Sequence, residues 1–472
     1  MNRDLIQKII DIVGSAHCSD AIEELHCYSY DNSKQTFLPD IVVHPDSVKQ
    51  VSALASLANS NLIPIVARGA GSGTTGGALP VQGGIVLSCM RLNRILEVDT
   101  DNQIAIVEPG VITGDFQESL KKHKLMYAPD PASLKFCTIG GNVAECAGGP
   151  SAIKYGVTKD SILGLEVVLA NGEILTTGCR TEKGVVGYDL TRLFIGSEGT
   201  LGIITKIITR LLPLPEYKET FLLSFTSLQR ATEFVAILLQ KQILPCTLEY
   251  MDRTALQVVS DILPTPLLPS IQAMLIIEID GSKKEVLAQS EQLQSLVTTE
   301  KQCTLKRATT KTEIREIWKA RRSISPATQK LSPYKTSEDV VVPRSRIPEL
   351  VSFCENLAKE IRITILTFGH AGDGNIHVNI LAADNSPEEN TKSITVKAAL
   401  FTKVLSMGGT LSGEHGVGIT KSNYISQELD TTSIKVMRQL KQLFDKNNIM
   451  NPGKIFPAEE LQNSTPFQRK IH

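Results

Sequence analysis

Hydrophobic positions along this chain repeat with two different periods, and the change from one to the other marks its organisation. The first thirteen residues set apolar side chains against Asp4, Lys8 and Asp11 at helical spacing. Short β-branched runs then predict strands over 63–67, 84–88, 104–107 and 162–169, separated by glycine and asparagine turns such as Asn171 and Gly172. The run Leu-Leu-Pro-Leu-Pro at 211–215 predicts an extended connection, because proline continues neither a sheet nor a helix, and a domain boundary is expected there. Beyond it, helical periodicity over 227–239 and 284–296 alternates with strand-like runs over 274–280 and 363–368. Helices laid on a sheet form an α+β domain. An amphipathic helix is expected over 431–445, stopped by Asn447 and Asn448 and followed by Asn-Pro-Gly-Lys at 451–454. The polar residues after Pro457 are expected to fray.

With 472 residues the chain exceeds one ordinary core, so two or three domains are expected. Lysine and arginine total 49 against 50 acids, a net charge of -1, which supplies no long-range field to gather nucleic acid or an anionic membrane. An anionic ligand must be caught locally. The nine cysteines are scattered and never spaced as Cys-x-x-Cys. They predict reduced thiols in a cytoplasmic protein and give the chain no iron-sulfur or four-cysteine zinc site of its own. The start of the chain lacks the apolar stretch of a signal peptide. Apolar runs at 234–239 and 274–279 are far shorter than the roughly 20 residues that cross a bilayer, so the protein is expected to be soluble or at most peripheral.

Two constellations carry chemistry. Arg-Gly-Ala-Gly-Ser-Gly-Thr-Thr-Gly-Gly at 68–77 follows an apolar strand, and Gly69, Gly71 and Gly73 would let backbone N–H groups approach a pyrophosphate. A Rossmann loop requires a helix straight after the glycines, and residues 78–84 contain a proline and two glycines that forbid one. A plain structural turn explains one such run. It explains poorly the further small-residue segments at 129–133, 138–142 and 147–151, which suit a chain wrapping an extended cofactor. The second constellation is Gly-His-Ala-Gly-Asp-Gly-Asn-Ile-His-Val-Asn at 369–379, which reads as strand, glycine turn, strand. It would set His370 beside His377, with His377 and Asn379 on one face and Ile376, Val378 and Ile380 on the other. Farther on, Glu414 and His415 project from a glycine-flanked loop. Two imidazoles and a carboxylate suit zinc, manganese or iron, although paired core histidines in a glycine hairpin would look alike. His17, His26, His44, His123 and His472 show no chemical partner in sequence and are read as surface or packing residues. Arg321, in Trp-Lys-Ala-Arg-Arg at 318–322, has the planar fork that grips a carboxylate, but a solvated basic helix face would read the same.

The glycine loop, the Pro-Asp-Pro-Ala-Ser and Thr-Ile-Gly-Gly-Asn segments, and Phe-Ile-Gly-Ser-Glu-Gly-Thr-Leu-Gly-Ile at 194–203 resemble the FAD domain of the vanillyl-alcohol oxidase and p-cresol methylhydroxylase superfamily. The branch it resembles holds the glycolate oxidase catalytic subunit and FAD-linked D-lactate dehydrogenase, and the likeness runs from about Tyr30 to Phe456. The resemblance implies a two-subdomain FAD-binding domain over 1–215 and an α+β substrate or cap domain over 216–410. A helical segment over 411–457 would return to the flavin site, leaving the tail 458–472. It implies that Arg68, Gly69, Gly71, Ser72, Gly73, Thr75 and Gly76 hold the pyrophosphate region. Pro129, Asp130, Ser133, Thr138, Gly141, Asn142, Ala144, Gly148 and Gly149 would line the rest of FAD, with Ile203 toward the adenine side and Lys454 near the flavin ring or a phosphate. Members with covalent flavin carry a histidine in the glycine loop where this chain has Ser72, so non-covalent FAD is implied. His370, His377 and Glu414 match the metal ligands, Asn379 a substrate contact, His415 the base and Arg321 the carboxylate-binding arginine.

The chemistry follows from general principles. A divalent metal lowers the pKa of a coordinated hydroxyl by several units. An imidazole, ordinarily titrating near about 6.5, then accepts the proton as hydride leaves the carbinol carbon for flavin N5. The expected function is FAD-dependent oxidation of D-lactate or glycolate to the 2-oxo acid. A D-2-hydroxyglutarate-type dehydrogenase is the alternative, disfavoured because no evident second basic anchor accompanies Glu338 and Asp339 beyond Lys335 and Arg322. From other classes, a metal-dependent hydrolase and a non-catalytic nucleotide-binding regulator remain. Lacking a cluster motif and a Rossmann loop, the chain is expected to pass electrons to an iron-sulfur partner subunit, quinone, electron-transfer flavoprotein or cytochrome. A homodimer and membrane association through a partner are compatible with this reading, and nucleic acid is not an expected partner.

Overall fold

In the computed structural model, which describes residues 1–457, the short β-branched runs near the start of the chain become strands of two separate sheets. The stretch 458–472, expected to fray, lies outside the described residues. By compactness the chain divides into two units. The first comprises Met1–Ala147, Val157–Pro213 and the described residues from Glu414 to Pro457; the second comprises Gly148–Gly156 and Leu214–Gly413.

In the first unit, a four-stranded sheet runs in the order Cys18–Ser19, Ile41–Val43, Ile85–Ser88, Ile65–Arg68, the last three parallel. Parallel strands are buried on both faces and read as unbroken apolar runs, as Ile-Val-Leu over 85–87 does. Helices Arg3–Val13 and Val48–Ser60 cover it, packing Ile9, Val13, Val51 and Leu54 against Ile85 and Leu87. An antiparallel five-stranded sheet follows in the order Ile95–Asp99, Ile104–Val107, Ile203–Arg210, Ile162–Val168, Ile174–Gly178. Its core joins Phe116, Val143, Leu165, Phe194 and Ile207. Two α+β layers therefore make up this unit, matching the expected two-subdomain class.

One local expectation needed revision, and one small-residue segment takes a conformation that its glycines do not announce. The small-residue segment at 138–142 is the start of helix Ile139–Glu145, with Thr138 as its N-cap. Packing of Ile139 and Val143 outweighs the low helix propensity of Gly140 and Gly141. The proline-rich run at 211–215 does enter a ladder: Leu212–Pro213 pairs with Leu125–Met126. This two-stranded edge tolerates a residue without an N–H.

The second unit is built on seven antiparallel strands. Their order is Cys303–Ala308, Tyr217–Phe225, Ala273–Gly281, Thr247–Asp252, Thr364–His370, Asn375–Leu381, Lys335–Val341. Helix Lys311–Ala327 lays Ile317, Ala320 and Ile324 on one face against Leu222, Ile276, Leu366 and Phe368. Strand Ala273–Gly281 is buried along nearly its whole length, which is why its sequence shows an apolar run rather than alternation.

The chain after helix Thr431–Phe444 is pinned to the first unit's parallel sheet. Asp445, fully buried, accepts the N–H groups of Ile449 at 2.9 Å and Met450 at 2.7 Å and pairs with Lys441. Met450 then lies beside Ile65 in a parallel bridge, with Ile65 N donating to Ile449 O and Asn451 N to Ile65 O. Asp445→Ala would leave two buried N–H donors without their acceptor and remove the counter-charge of Lys441, which keeps only the carbonyls of Thr200 and Met450. It should lower the stability of the first unit by roughly 3–5 kcal/mol. Calorimetric unfolding checks this; an unmoved transition refutes it.

Candidate functional site

The glycine loop leaves strand Ile65–Arg68 with no helix behind it, as the proline and glycines at 78–84 require. Arg68 braces the loop from beneath: its buried guanidinium donates to Tyr30 O at 2.7 Å and Ala78 O at 3.4 Å. Gly69 lies so close to Thr138 that a Cβ there would fall 2.2 Å from Thr138 Oγ1, so the loop and the helix cap touch only because this residue has no side chain. Thr138 Oγ1 accepts from Gly141 N, Asn142 donates to Thr113 Oγ1 at 2.7 Å, and Ala144 O accepts from Glu198 N. The carbonyls of Ser72 and Gly73 are held by Asn32, whereas a Cβ on Gly73 would meet nothing within 4 Å. The loop thus presents an open backbone at Gly73, a cradle that fits a pyrophosphate. Pro129 O accepts from Gln117, Asp130 is half-buried, and the carbonyl of Ser133 closes a turn onto Cys137 N. Ile203 buries its side chain in the core, leaving only its backbone for a ligand.

The same loop carries the Glu414–His415 segment. Thr75 Oγ1 donates to His415 O at 3.0 Å, Ile419 N donates to Thr75 O at 2.8 Å, and Gly76 packs on Ile419. Glu198 accepts the N–H groups of Val417 and Gly418, each at 2.7 Å. Burial pushes the Glu198 carboxyl above the usual range against the pull of those two N–H groups, Lys454 and Lys421. Glu414 and His415 are neighbours with Oε1 and Nε2 3.9 Å apart, both mostly buried. Lys454, also buried, donates to Leu79 O at 2.6 Å and Asn451 Oδ1 at 3.1 Å. Burial lowers its pKa to about 8, outweighing Glu198, Asp31 and Glu145.

In the second unit the two histidines stand on one hairpin. Gly369, at φ +156, would place a Cβ 2.4 Å from Asn375 O, so the tight turn requires glycine. His377 pairs opposite Phe368, and the two imidazoles lie edge to face with centroids 5.1 Å apart. Their candidate ligand nitrogens come within 4.8 Å of one another, and both rings are buried, at 5% and 7% exposure. Asn379 lies fully buried on the same face. Its Oδ1 accepts from Ser337 at 2.7 Å, and its Nδ2 has no hydrogen-bond partner among the described residues. Asp339, opposite His377 in the next strand, accepts from Gly413 N at 2.8 Å and Ser412 Oγ at 3.2 Å. Glu414 is the residue peptide-bonded to Gly413, about 3.8 Å farther along the chain.

Arg321 is no solvated face. It is buried, stacks over Phe368 at 4.8 Å, and grips Glu249 Oε2 through Nε at 2.6 Å and Nη2 at 2.5 Å. Arg322, by contrast, is exposed beside Trp318. Glu249 itself was not singled out in the sequence. With no exposed surface, it also meets His370 Nδ1 at 2.5 Å. Burial opposes its ionisation, yet Arg321 and His370 prevail and hold its pKa below the carboxylate range. An acid inside the apolar strand Thr247–Asp252 was the only signal available. Gly148 and Gly149, expected along FAD, belong to the second unit, where Ile153 packs on Gly372 in the histidine hairpin turn. His44, read as a surface or packing residue, meets Glu24 at 2.9 Å.

Comparison with known proteins bears on both halves of the chain. Residues 214–455 match the family described as FAD linked oxidases, C-terminal domain, and residues 39–178 match an FAD binding domain. The glycolate oxidase subunit GlcD of Bacillus subtilis (strain 168) is 40% identical, with 97% of this chain and 98% of that protein covered. A D-lactate dehydrogenase of Anaerostipes hadrus is 34% identical, covering 88% of this chain and 89% of its own. Among solved structures, 4-ethylphenol oxidase from Gulosibacter chungangensis superposes with a TM-score of 0.78 at 19% identity, covering 97% of this chain and 98% of its own. Substrate-bound p-cresol methylhydroxylase gives 0.77 at 19%, covering 97% of each chain. These two likenesses show the fold. No helix among the described residues is long and apolar enough to cross a membrane.

The depressed pKa of Lys454 has a definite sign in stability. The folded protein releases this proton near pH 8, whereas the ordinary value is 10.5. Between those values the unfolded chain binds more protons, so stability rises with pH; below them the full burial penalty stands. The stability difference between wild type and Lys454→Met should therefore shift in favour of wild type by up to about 3 kcal/mol from pH 8 to 10.5. Denaturant unfolding across that range tests it, and a pH-independent difference contradicts it.

Proposed function

The chain belongs to the FAD-linked oxidase family, and from that premise we propose that it oxidises a small 2-hydroxy acid, D-lactate or glycolate, to the 2-oxo acid. In this reading FAD is held non-covalently, His370, His377 and Glu414 hold a divalent metal, His415 is the base, and Arg321 and Asn379 bind the substrate. Relatives named for glycolate and for D-lactate support the substrate class. The observation that carries the reading is the arrangement on one hairpin face: two buried imidazoles with adjacent ring nitrogens, and two residues farther an amide donor without a hydrogen-bond partner among the described residues.

The residues suit both cofactors. Two imidazoles side by side, with a carboxylate one peptide beyond the Asp339-anchored Gly413, form a nitrogen and oxygen donor set for zinc, manganese or iron. The loop backbone open at Gly73 suits a pyrophosphate. When bound, FAD supplies the two-electron acceptor and the metal a Lewis acid. Arg321 retains its Nη1 end for a substrate carboxylate, since Glu249 occupies only the Nε and Nη2 edge. The Asn379 amide is poised to donate to a substrate oxygen. His415 takes the hydroxyl proton, on a loop that Thr75 and Glu198 hold by its backbone. Electrons then pass to a protein or quinone partner rather than to NAD.

Anaerobic mixing with a panel of D- and L-2-hydroxy acids, before and after chelation, tests this. One enantiomeric series should bleach the flavin absorbance, and chelation should abolish the effect; no bleaching by any of them refutes the reading. His415→Asn should slow the bleaching roughly 10²–10⁴-fold at unchanged flavin content. Arg321→Lys should raise KM strongly while flavin stays bound, and unchanged kinetics would remove Arg321 from the site. Acid precipitation should leave the yellow colour in the supernatant, whereas colour retained on the pellet would mean covalent flavin.

A further inference from the structure

Glu249 and His370 occupy directly opposed positions of neighbouring antiparallel strands, so their side chains rise from the same face of the seven-stranded sheet. Arg321 descends onto that face from helix Lys311–Ala327. The carboxylate divides its two oxygens between them: Oε1 to His370 Nδ1, Oε2 to the Arg321 Nε and Nη2 edge. Stability alone is a poor reason for such an arrangement. A buried ion pair is often no more stabilising than apolar side chains of the same volume, because desolvation offsets the attraction.

Geometry offers a better reason. A carboxylate at Nδ1 fixes the proton on that nitrogen, turns the ring and leaves Nε2 as the metal-binding lone pair, as supporting carboxylates do around metal-bound histidines generally. The same carboxylate, bonded to one edge of the guanidinium, leaves the other end as the only fork able to grip a ligand bidentately. We propose that Glu249 is a positioning residue for the oxidation. It sets the metal-binding nitrogen of His370 and the carboxylate-gripping end of Arg321 at one fixed spacing, which admits acids with the hydroxyl on the carbon next to the carboxylate and disfavours those with it one carbon farther away. The proposal rests on the reading of His370 as a metal ligand and Arg321 as the substrate anchor.

The test uses the full-length protein with its FAD and three variants: Glu249→Asp, which withdraws the carboxylate by one methylene, Glu249→Gln, and Glu249→Gln combined with Arg321→Met. The double variant leaves no buried unpaired charge, so metal binding can be measured even if Glu249→Gln does not fold. Circular dichroism and flavin content establish folding. Affinity for Mn²⁺ and Zn²⁺, measured by competition with a chromophoric chelator, should fall roughly 10–100-fold in every folded variant. In Glu249→Asp the preference in kcat/KM for 2-hydroxybutyrate over 3-hydroxybutyrate should drop at least about tenfold, mainly through KM. Wild-type metal affinity in the folded variants overturns the proposal, as does an unchanged 2- to 3-hydroxy preference in Glu249→Asp. Wild-type protein that binds neither metal would instead overturn the underlying reading of the hairpin, and this proposal with it.

Discussion

An ionised carboxylate with no access to water survives only if the protein itself answers its charge, and at Glu249 that requirement organises the chemistry-bearing face of the second unit. Withdrawing such an ion from water carries a penalty of several kcal/mol even after relaxation, so both oxygens must be bonded in good geometry. One oxygen is met by an imidazole from the opposed strand and the other by a guanidinium from the covering helix. Each partner is thereby oriented as well as paired. The buried aromatic ring of Phe368 packs against both the His377 imidazole and the Arg321 guanidinium.

The first unit solves a parallel problem with backbone donors. Glu198 is buried, and it is answered by the N–H groups of Val417 and Gly418 in the loop that bears His415. Thr75, at the end of the glycine loop, holds the carbonyl of His415 itself. A loop flanked by glycines would otherwise be free to sample many conformations, and three hydrogen bonds to fixed partners remove that freedom without using the imidazole. The arrangement also links the phosphate cradle to the residue read as the base, since both depend on the placement of Thr75 and Ile419.

The residues around the glycine loop likewise act largely through the main chain. Gly69 is required by the approach of Thr138, Gly73 faces open space, and Arg68 acts from below the loop on Tyr30 and Ala78. Ile203 and Asn142 turn their side chains to the core or to Thr113. Members of one motif therefore divide between bracing the loop and leaving its backbone open.

What could be read from the chain alone was local. Strand Ile104–Val107 and helix Thr431–Phe444 follow from short-range periodicity. The meeting of His370 with His377 follows from a four-residue glycine turn at 371–374, where strand pairing leaves few choices. Helix Ile139–Glu145 was illegible because its glycines argue against a helix, and only packing of Ile139 and Val143 reverses that preference. Glu249 lies 121 positions from His370 and 72 from Arg321, and nothing within a few residues of any of them announces the others. Composition and spacing thus determined which chemistry the molecule carries and which turns present it. The tertiary structure decided which acid meets the histidine and whether Arg321 faces water or the core. Pairing of distant strands is selected by burial of a whole sheet face, a property no single segment possesses.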